Sequence, residues 1–115
     1  MSEITIKILE LKEGDSPFEK WYNSIKDKSI RRRILVRIKK LELGNFGDWK
    51  NLGKGVYELR MTFGAGYRVY FARQGKEVII ILGGGDKSSQ LQDIANAKAL
   101  WGEYKNEIER FSRDF

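Results

Sequence analysis

The sequence predicts an α+β fold in which helices pack on one face of a small antiparallel sheet. Three observations carry that expectation. Hydrophobic residues recur at every second position near the N-terminus, at helical spacing over residues 16–43, at every second position again from Tyr57 to Leu82, and at helical spacing to the end. Capping residues stand where each helical stretch opens. Glycine-containing turns stand where the strand patterns stop. With 115 residues, 41% hydrophobic and 33% charged, the chain has the composition of one globular domain, residues 1–115, around a single modest core.

Glu3 to Leu11 reads as the first strand, because Ile4, Ile6 and Ile8 alternate with Thr5 and Lys7. A turn over Lys12 to Asp15 leads into Ser16-Pro17-Phe18-Glu19. There Ser16 can cap, proline suits the first helical position, and Glu19 completes a capping box. Phe18, Trp21, Tyr22 and Ile25 share one face of this helix. A break at Asp27 to Ser29 supplies a new cap for a second helix, striped by Ile30, Ile34, Leu35, Ile38 and Leu41. Gly44-Asn45 ends it. Residues 44–55 read as a loop. Tyr57, Leu59, Met61 and Phe63 then alternate with polar residues, and Tyr67, Val69 and Phe71 do so after Gly64-Ala65-Gly66, which predicts a hairpin. Val78 to Leu82 is an unbroken apolar run, as in a central strand buried on both faces. Gly83-Gly84-Gly85 breaks it, and Ser88 or Ser89 can cap a last helix carrying Ile94, Ala97, Trp101, Tyr104, Ile108 and Phe111. The expected order is β-α-α-β-β-β-α.

The chain has no cysteine and no histidine. Disulfides and thiolate sites are thereby excluded, and so are Ser-His-Asp and Cys-His arrangements. No metal or cofactor is expected, since Asp86 and Asp93 are too few to argue for a metal cluster. Gly85-Asp86-Lys87-Ser88 lies between a strand and a helix, but a P-loop needs glycine directly before the lysine, where Asp86 stands. No apolar run reaches the length of a membrane span and the first strand carries acids, so a cytoplasmic protein is expected. The net charge of +6 is uneven. Lys26 to Lys54 holds ten Lys/Arg against three acids, a segment of +7. Such a stripe is either a solvated helix face or an electrostatic footprint for phosphate.

Candidate chemistry gathers on the hairpin. Opposing the apolar sets places Phe63 against Tyr67, Thr62 against Arg68 and Arg60 against Tyr70, across a three-residue loop. Arg60 and Arg68 then become diagonal neighbours on the other sheet face, within reach of one phosphate. Two guanidiniums and the Tyr70 phenol could stabilise charge on the non-bridging oxygens of a phosphodiester transition state. Lys87, after the glycine turn, could join them. The alternative is that both arginines are solvated strand residues paired with Glu58 or Glu77.

Several spaced blocks occur in order: Gly44-Asn45-Phe46-Gly47-Asp48, then Leu52-Gly53-Lys54-Gly55-Val56-Tyr57-Glu58-Leu59-Arg60. Gly66-Tyr67-Arg68-Val69-Tyr70-Phe71 and Gly85-Asp86-Lys87-Ser88-Ser89-Gln90 follow. Together they resemble the RelE/ParE toxin superfamily, and within it the HigB-like, phage-derived Gp49-like branch of addiction module killer proteins. The resemblance implies a RelE-like fold, with an N-terminal strand and helical hairpin on a small antiparallel sheet and a C-terminal helix. It implies the toxin of a type II toxin–antitoxin system, acting as a ribosome-dependent, metal-independent mRNA endonuclease (an mRNA interferase). Its implied partners are a cognate antitoxin, commonly a helix-turn-helix protein, together with the ribosome and mRNA. By position, Arg68 matches a phosphate-stabilising arginine and Lys87 a basic residue after the last core strand. Arg60 joins them as a catalytic candidate, and Lys54 as an RNA-binding one. The hairpin face adds Tyr70, and the basic stripe adds Arg31, Arg33, Arg37 and Lys40, as RNA-binding candidates. The chain departs from the best-known members in lacking a histidine and a tyrosine near Asp93, so the proton transfers have no assigned residue.

Two other functions fit these features. One is a ParE-like inhibitor of DNA gyrase. The other is a non-catalytic, phage-derived nucleic-acid-binding protein, for which the basic helix Ile30 to Leu43 would suffice. An antitoxin would have to neutralise the cationic face, so it should present an acidic segment. The stripe of the last helix suits a homodimer or its own sheet, and Trp101 and Tyr104 favour the sheet.

Overall fold

A computed structural model describes residues 3–115. Its elements run β1 (Thr5–Leu9), α1 (Pro17–Ser24), α2 (Lys28–Lys39), β2 (Trp49–Gly53), β3 (Val56–Arg60), β4 (Arg68–Gln74), β5 (Val78–Gly85), α3 (Gln90–Tyr104) and β6 (Ser112–Asp114). Short 3-10 turns occupy Lys40–Leu43, Lys87–Ser89 and Lys105–Glu107. Two caps follow the sequence, whereas the Glu19 carboxylate pairs with Arg113 and completes no capping box, and Ser89 precedes α3 without a capping hydrogen bond. Ser16 Oγ accepts from the Glu19 amide ahead of Pro17, and Asp27 Oδ1 accepts from the Ser29 and Ile30 amides. Gly44, at φ 78°, closes the turn after α2 in the left-handed conformation that glycine adopts without strain. No helix among the described residues is long and apolar enough to cross a membrane.

The α+β class stands, with three corrections to the architecture. First, the sheet is six-stranded in the order β2-β3-β4-β5-β1-β6, and it is mixed, because β1 runs parallel to β5. Alternation marks a strand but carries no information on its direction, and β1 enters beside β5, over seventy residues away in sequence. Second, two strands lie where none was expected. β2 forms inside the glycine-rich segment 44–55, and β6 follows the end of α3, which stops at Tyr104 and not at Phe111. β2 is an edge strand with mostly exposed residues, so it has no alternating signature. Third, the helices cover both faces. Ile6, Ile8, Leu59, Val69, Phe71, Ile79 and Ile81 pack under α1 and α2, while Leu9, Val56, Tyr70, Ala72, Ile80 and Leu82 pack against Ala97, Trp101 and Tyr104 of α3. β5 is thus buried on both faces, as its unbroken apolar run predicts. Trp101 and Tyr104 are used inside this second core.

The β3–β4 hairpin also differs from its expected register. Arg60 pairs directly with Arg68, and Glu58 with Tyr70. The strands part at Arg60, leaving Met61 to Tyr67 as a wider loop closed by the Met61 amide on the Tyr67 carbonyl. Phe63 leaves the strand to pack on Tyr67 and beneath Arg33. The shift is by two positions, so each side chain keeps its predicted face. A bulge then lies between β4 and β5 where the pairing steps from Tyr70↔Gly83 to Phe71↔Ile81. It sets the last residues of β5, Gly84 and Gly85, against Val69 and Arg68.

Candidate functional site

The end of the hairpin, the loop 61–67 and the start of the β5–α3 connection surround one open pocket of about 600 Å³. Arg60 comes from the end of β3, Arg68 from the start of β4, and Lys87 from the first position after the Asp86 cap. Asp86 Oδ1 accepts from the Ser88 amide at 2.8 Å and the Ser88 hydroxyl at 2.6 Å, which fixes the turn that carries Lys87. These hydrogen bonds, the Ser88 hydroxyl first, hold the Asp86 carboxyl below its ordinary range. The Lys87 amide donates to the Ala65 carbonyl, tying this turn to the hairpin loop. Gly66 lies between the two side chains. A Cβ built there would stand 3.2 Å from Arg68 Nη1 and 3.4 Å from Lys87 Cβ.

Under the cations lies Glu58, with no exposed surface. Arg60 Nε donates to its Oε1 at 2.9 Å, Gln90 Nε2 donates to its Oε2 at 2.8 Å, and Arg68 Nε lies 3.7 Å from Oε2. One carboxylate therefore faces two guanidiniums that are themselves paired across the hairpin. The side chain of Arg68 is 11% exposed, and its single hydrogen bond among the described residues goes from Nη1 to the Gly66 carbonyl. Its buried Nε has no hydrogen-bond partner. That Nε is turned toward Glu58, while one carboxylate between two guanidiniums, with Lys87 beside them, leaves the pocket net cationic, as suits an anion. Tyr70 lies deeper, 1% exposed, with its hydroxyl beside Glu58 and Asp93 and without a hydrogen bond of good geometry. Burial, then the two carboxylates, push its pKa well above the ordinary tyrosine value.

The other predicted site residues divide into two groups. Arg33, Arg37 and Lys40 line a second groove of about 550 Å³ that shares Asp48, Arg60, Met61 and Thr62 with the first. Arg37 has a structural engagement there. It donates to the carbonyls of Phe46 at 2.7 Å, Asp48 at 3.1 Å and Arg60 at 3.4 Å, fastening the loop before β2 to the end of β3. Gly47 permits this, since a Cβ there would come within 2.7 Å of the guanidinium. Arg31 lies apart, over the Tyr22 ring. Lys54 lies away from the cluster, in the β2–β3 turn at φ 55°, six residues and roughly 20 Å of strand before Arg60. Glu58 pairs with both arginines, as the alternative sequence reading allowed, but in a buried position and not on a solvated face, and Gln90 is the member of the cluster that the sequence reading did not assign to it. The available signal for Glu58 was a lone acid between Tyr57 and Leu59, two positions from Arg60 and so on its face.

The family described as phage-derived protein Gp49-like (DUF891) matches residues 21–110, which contain the whole cluster. An uncharacterized protein of Haemophilus influenzae is 46% identical over 83 residues, covering 72% of this chain and 84% of the relative. No solved structure matches the chain. The chain belongs to the Gp49-like family of phage-derived proteins, the addiction-module family that its spaced sequence blocks resemble.

Proposed function

We propose that this protein is the toxin of a type II toxin–antitoxin pair and that it cuts mRNA on the ribosome at the Arg60–Arg68–Lys87 pocket. The observation that carries the reading is the nearly buried Arg68 guanidinium, held against Glu58 and lining one pocket with two further cations, Arg60 and Lys87. Cleavage without a metal uses the substrate's 2′-hydroxyl. Its oxygen gives up a proton and forms a bond to phosphorus as the bond to the 5′-oxygen breaks. The departing oxygen takes a proton from solvent in the open pocket, and negative charge grows on the non-bridging oxygens meanwhile. Arg68 and Arg60 stabilise that charge, with Lys87 reaching the same phosphate from the opposite wall. Glu58 aims the guanidiniums. Glu58 is buried with both oxygens engaged, so Asp48, which lines the pocket, is the carboxylate that takes the 2′-hydroxyl proton. An antitoxin fits the same face if it presents acidic side chains to it.

The test is expression of the chain with and without the product of the neighbouring reading frame, with mRNA integrity followed in extracts with and without ribosomes. The reading expects growth arrest, rescue by the neighbour, and cleavage only with ribosomes. Arg68→Ala should lower cleavage by about 100-fold or more, the usual loss for one donor to a developing oxyanion. Full toxicity of Arg68→Ala combined with Lys87→Ala would show the site to be misassigned. Inhibited supercoiling with intact mRNA would transfer the activity to gyrase.

A further inference from the structure

The groove beside the pocket has a construction of its own. It runs from the shared wall of Asp48, Arg60 and Thr62 to the exposed face of α2. Five cations and one acid line it, so its charge suits an anionic chain. Its floor has a different chemistry. The Arg33 guanidinium lies 3.8 Å above the centre of the Phe63 ring, and Val36, 49% exposed, lies along the same wall. Phe63 is held from behind by Tyr67, which in turn packs on Trp21. Arg37 is occupied by three carbonyls and keeps the groove open at its base.

From this we infer that the groove is a base-stacking subsite: the nucleotide next to the scissile phosphate lays its base on the outer face of the Arg33–Phe63 pair, while Arg32 and Lys40 take the following phosphates. A planar guanidinium already seated on an aromatic ring offers a flat, cationic surface with little conformational freedom left to lose. Stacking of that kind tolerates any base and requires it to be unpaired. The occupant is single-stranded RNA and not an acidic protein segment, because the groove opens into the phosphate pocket through shared residues. A strand can cross both without a break. The inference rests on the proposed nuclease reading of the pocket.

The experiment measures binding of a short, fluorescently labelled 2′-O-methyl oligoribonucleotide, which cannot be cleaved, and of the same strand with an abasic position. Arg33→Lys keeps the charge and removes the plane, and Phe63→Leu removes the ring. Each should weaken binding of the intact strand about tenfold. The abasic strand should bind the wild-type protein more weakly by a similar factor and should not distinguish the variants from it. Unfolding of each variant in urea separates loss of binding from loss of fold, and Arg33 is exposed enough for its substitution to leave stability alone. Wild-type binding by both variants, or equal losses on intact and abasic strands, would overturn the stacking subsite. If Arg68→Ala also binds as wild type, the pocket reading fails with it; if Arg68→Ala alone loses binding, only the subsite fails. A polyglutamate peptide whose binding depends on Phe63 while RNA binding does not would assign the groove to a protein partner instead.

Discussion

Arg60 and Arg68 face each other across a β-ladder, where like charges ordinarily repel, and Glu58 is what makes the pairing tolerable. Glu58→Gln keeps the shape but removes the charge and turns one of the two accepting oxygens into a donor. Breaking a buried ion pair by removing one partner costs about 3–5 kcal/mol, and Arg60 retains access to water, so a loss of roughly 2–3 kcal/mol in urea unfolding is expected. Added phosphate should recover part of it by meeting the guanidiniums from the pocket side. Tyr70 gives a second prediction, with a definite sign. Burial raises its pKa in the folded state, so folding favours the neutral phenol. Its contribution is complete below the unfolded value near 10 and is lost as pH rises above it. Tyr70→Phe should therefore unfold less steeply with rising alkali than the wild type. Because the hydroxyl has no hydrogen-bond partner, the variant should be about as stable as the wild type at neutral pH.

At the scale of elements, the joint between β5 and α3 decides where Lys87 stands. Two of its three glycines are required by what packs on them. A Cβ on Gly84 would enter the Trp21 ring at 2.3 Å, and one on Gly85 would stand 1.8 Å from Asp93 Oδ2. Asp93 is anchored in that position by the Ser89 hydroxyl, so it cannot simply swing away. Gly85→Ala should lower stability by about 1–3 kcal/mol in thermal unfolding, the range for overpacking a filled site. Adding Asp93→Ala should restore most of it, whereas Asp93→Ala alone should cost little. A loss unaffected by the second substitution would mean that the backbone, and not the carboxylate, resists the change. The same reasoning explains the Gly44–Asp48 block, in which glycine admits the Arg37 guanidinium that binds α2 to the hairpin end.

Across the whole molecule, the cations on α2 and those around Lys87 form one continuous surface of two joined grooves. Six of them, Arg32, Arg33, Lys40, Arg60, Arg68 and Lys87, line the proposed path. If four to six phosphates are neutralised, the logarithm of RNA affinity should fall against the logarithm of salt with a slope of about −3 to −4. Lys54→Ala, at the distant turn, should leave that slope unchanged. A slope near zero would remove the electrostatic basis of the path.

Much of this was legible in the sequence, and for a definable reason. Period-two and period-three patterns report which side of an element is apolar, so β1, both N-terminal helices, the hairpin faces and the doubly buried β5 follow from residues alone. The caps at Ser16 and Asp27 follow in the same way, and the missing histidine and cysteine exclude whole chemistries. Periodicity does not say which apolar surface covers which. That choice depends on contacts between residues far apart in the chain, and only the tertiary structure made it. It put α3 on the second face, β1 parallel in the interior of the sheet, and β2 along an edge without a pattern. Above all, it buried Glu58, turning two arginines that could have been solvated charges into a held and partly unsatisfied pair.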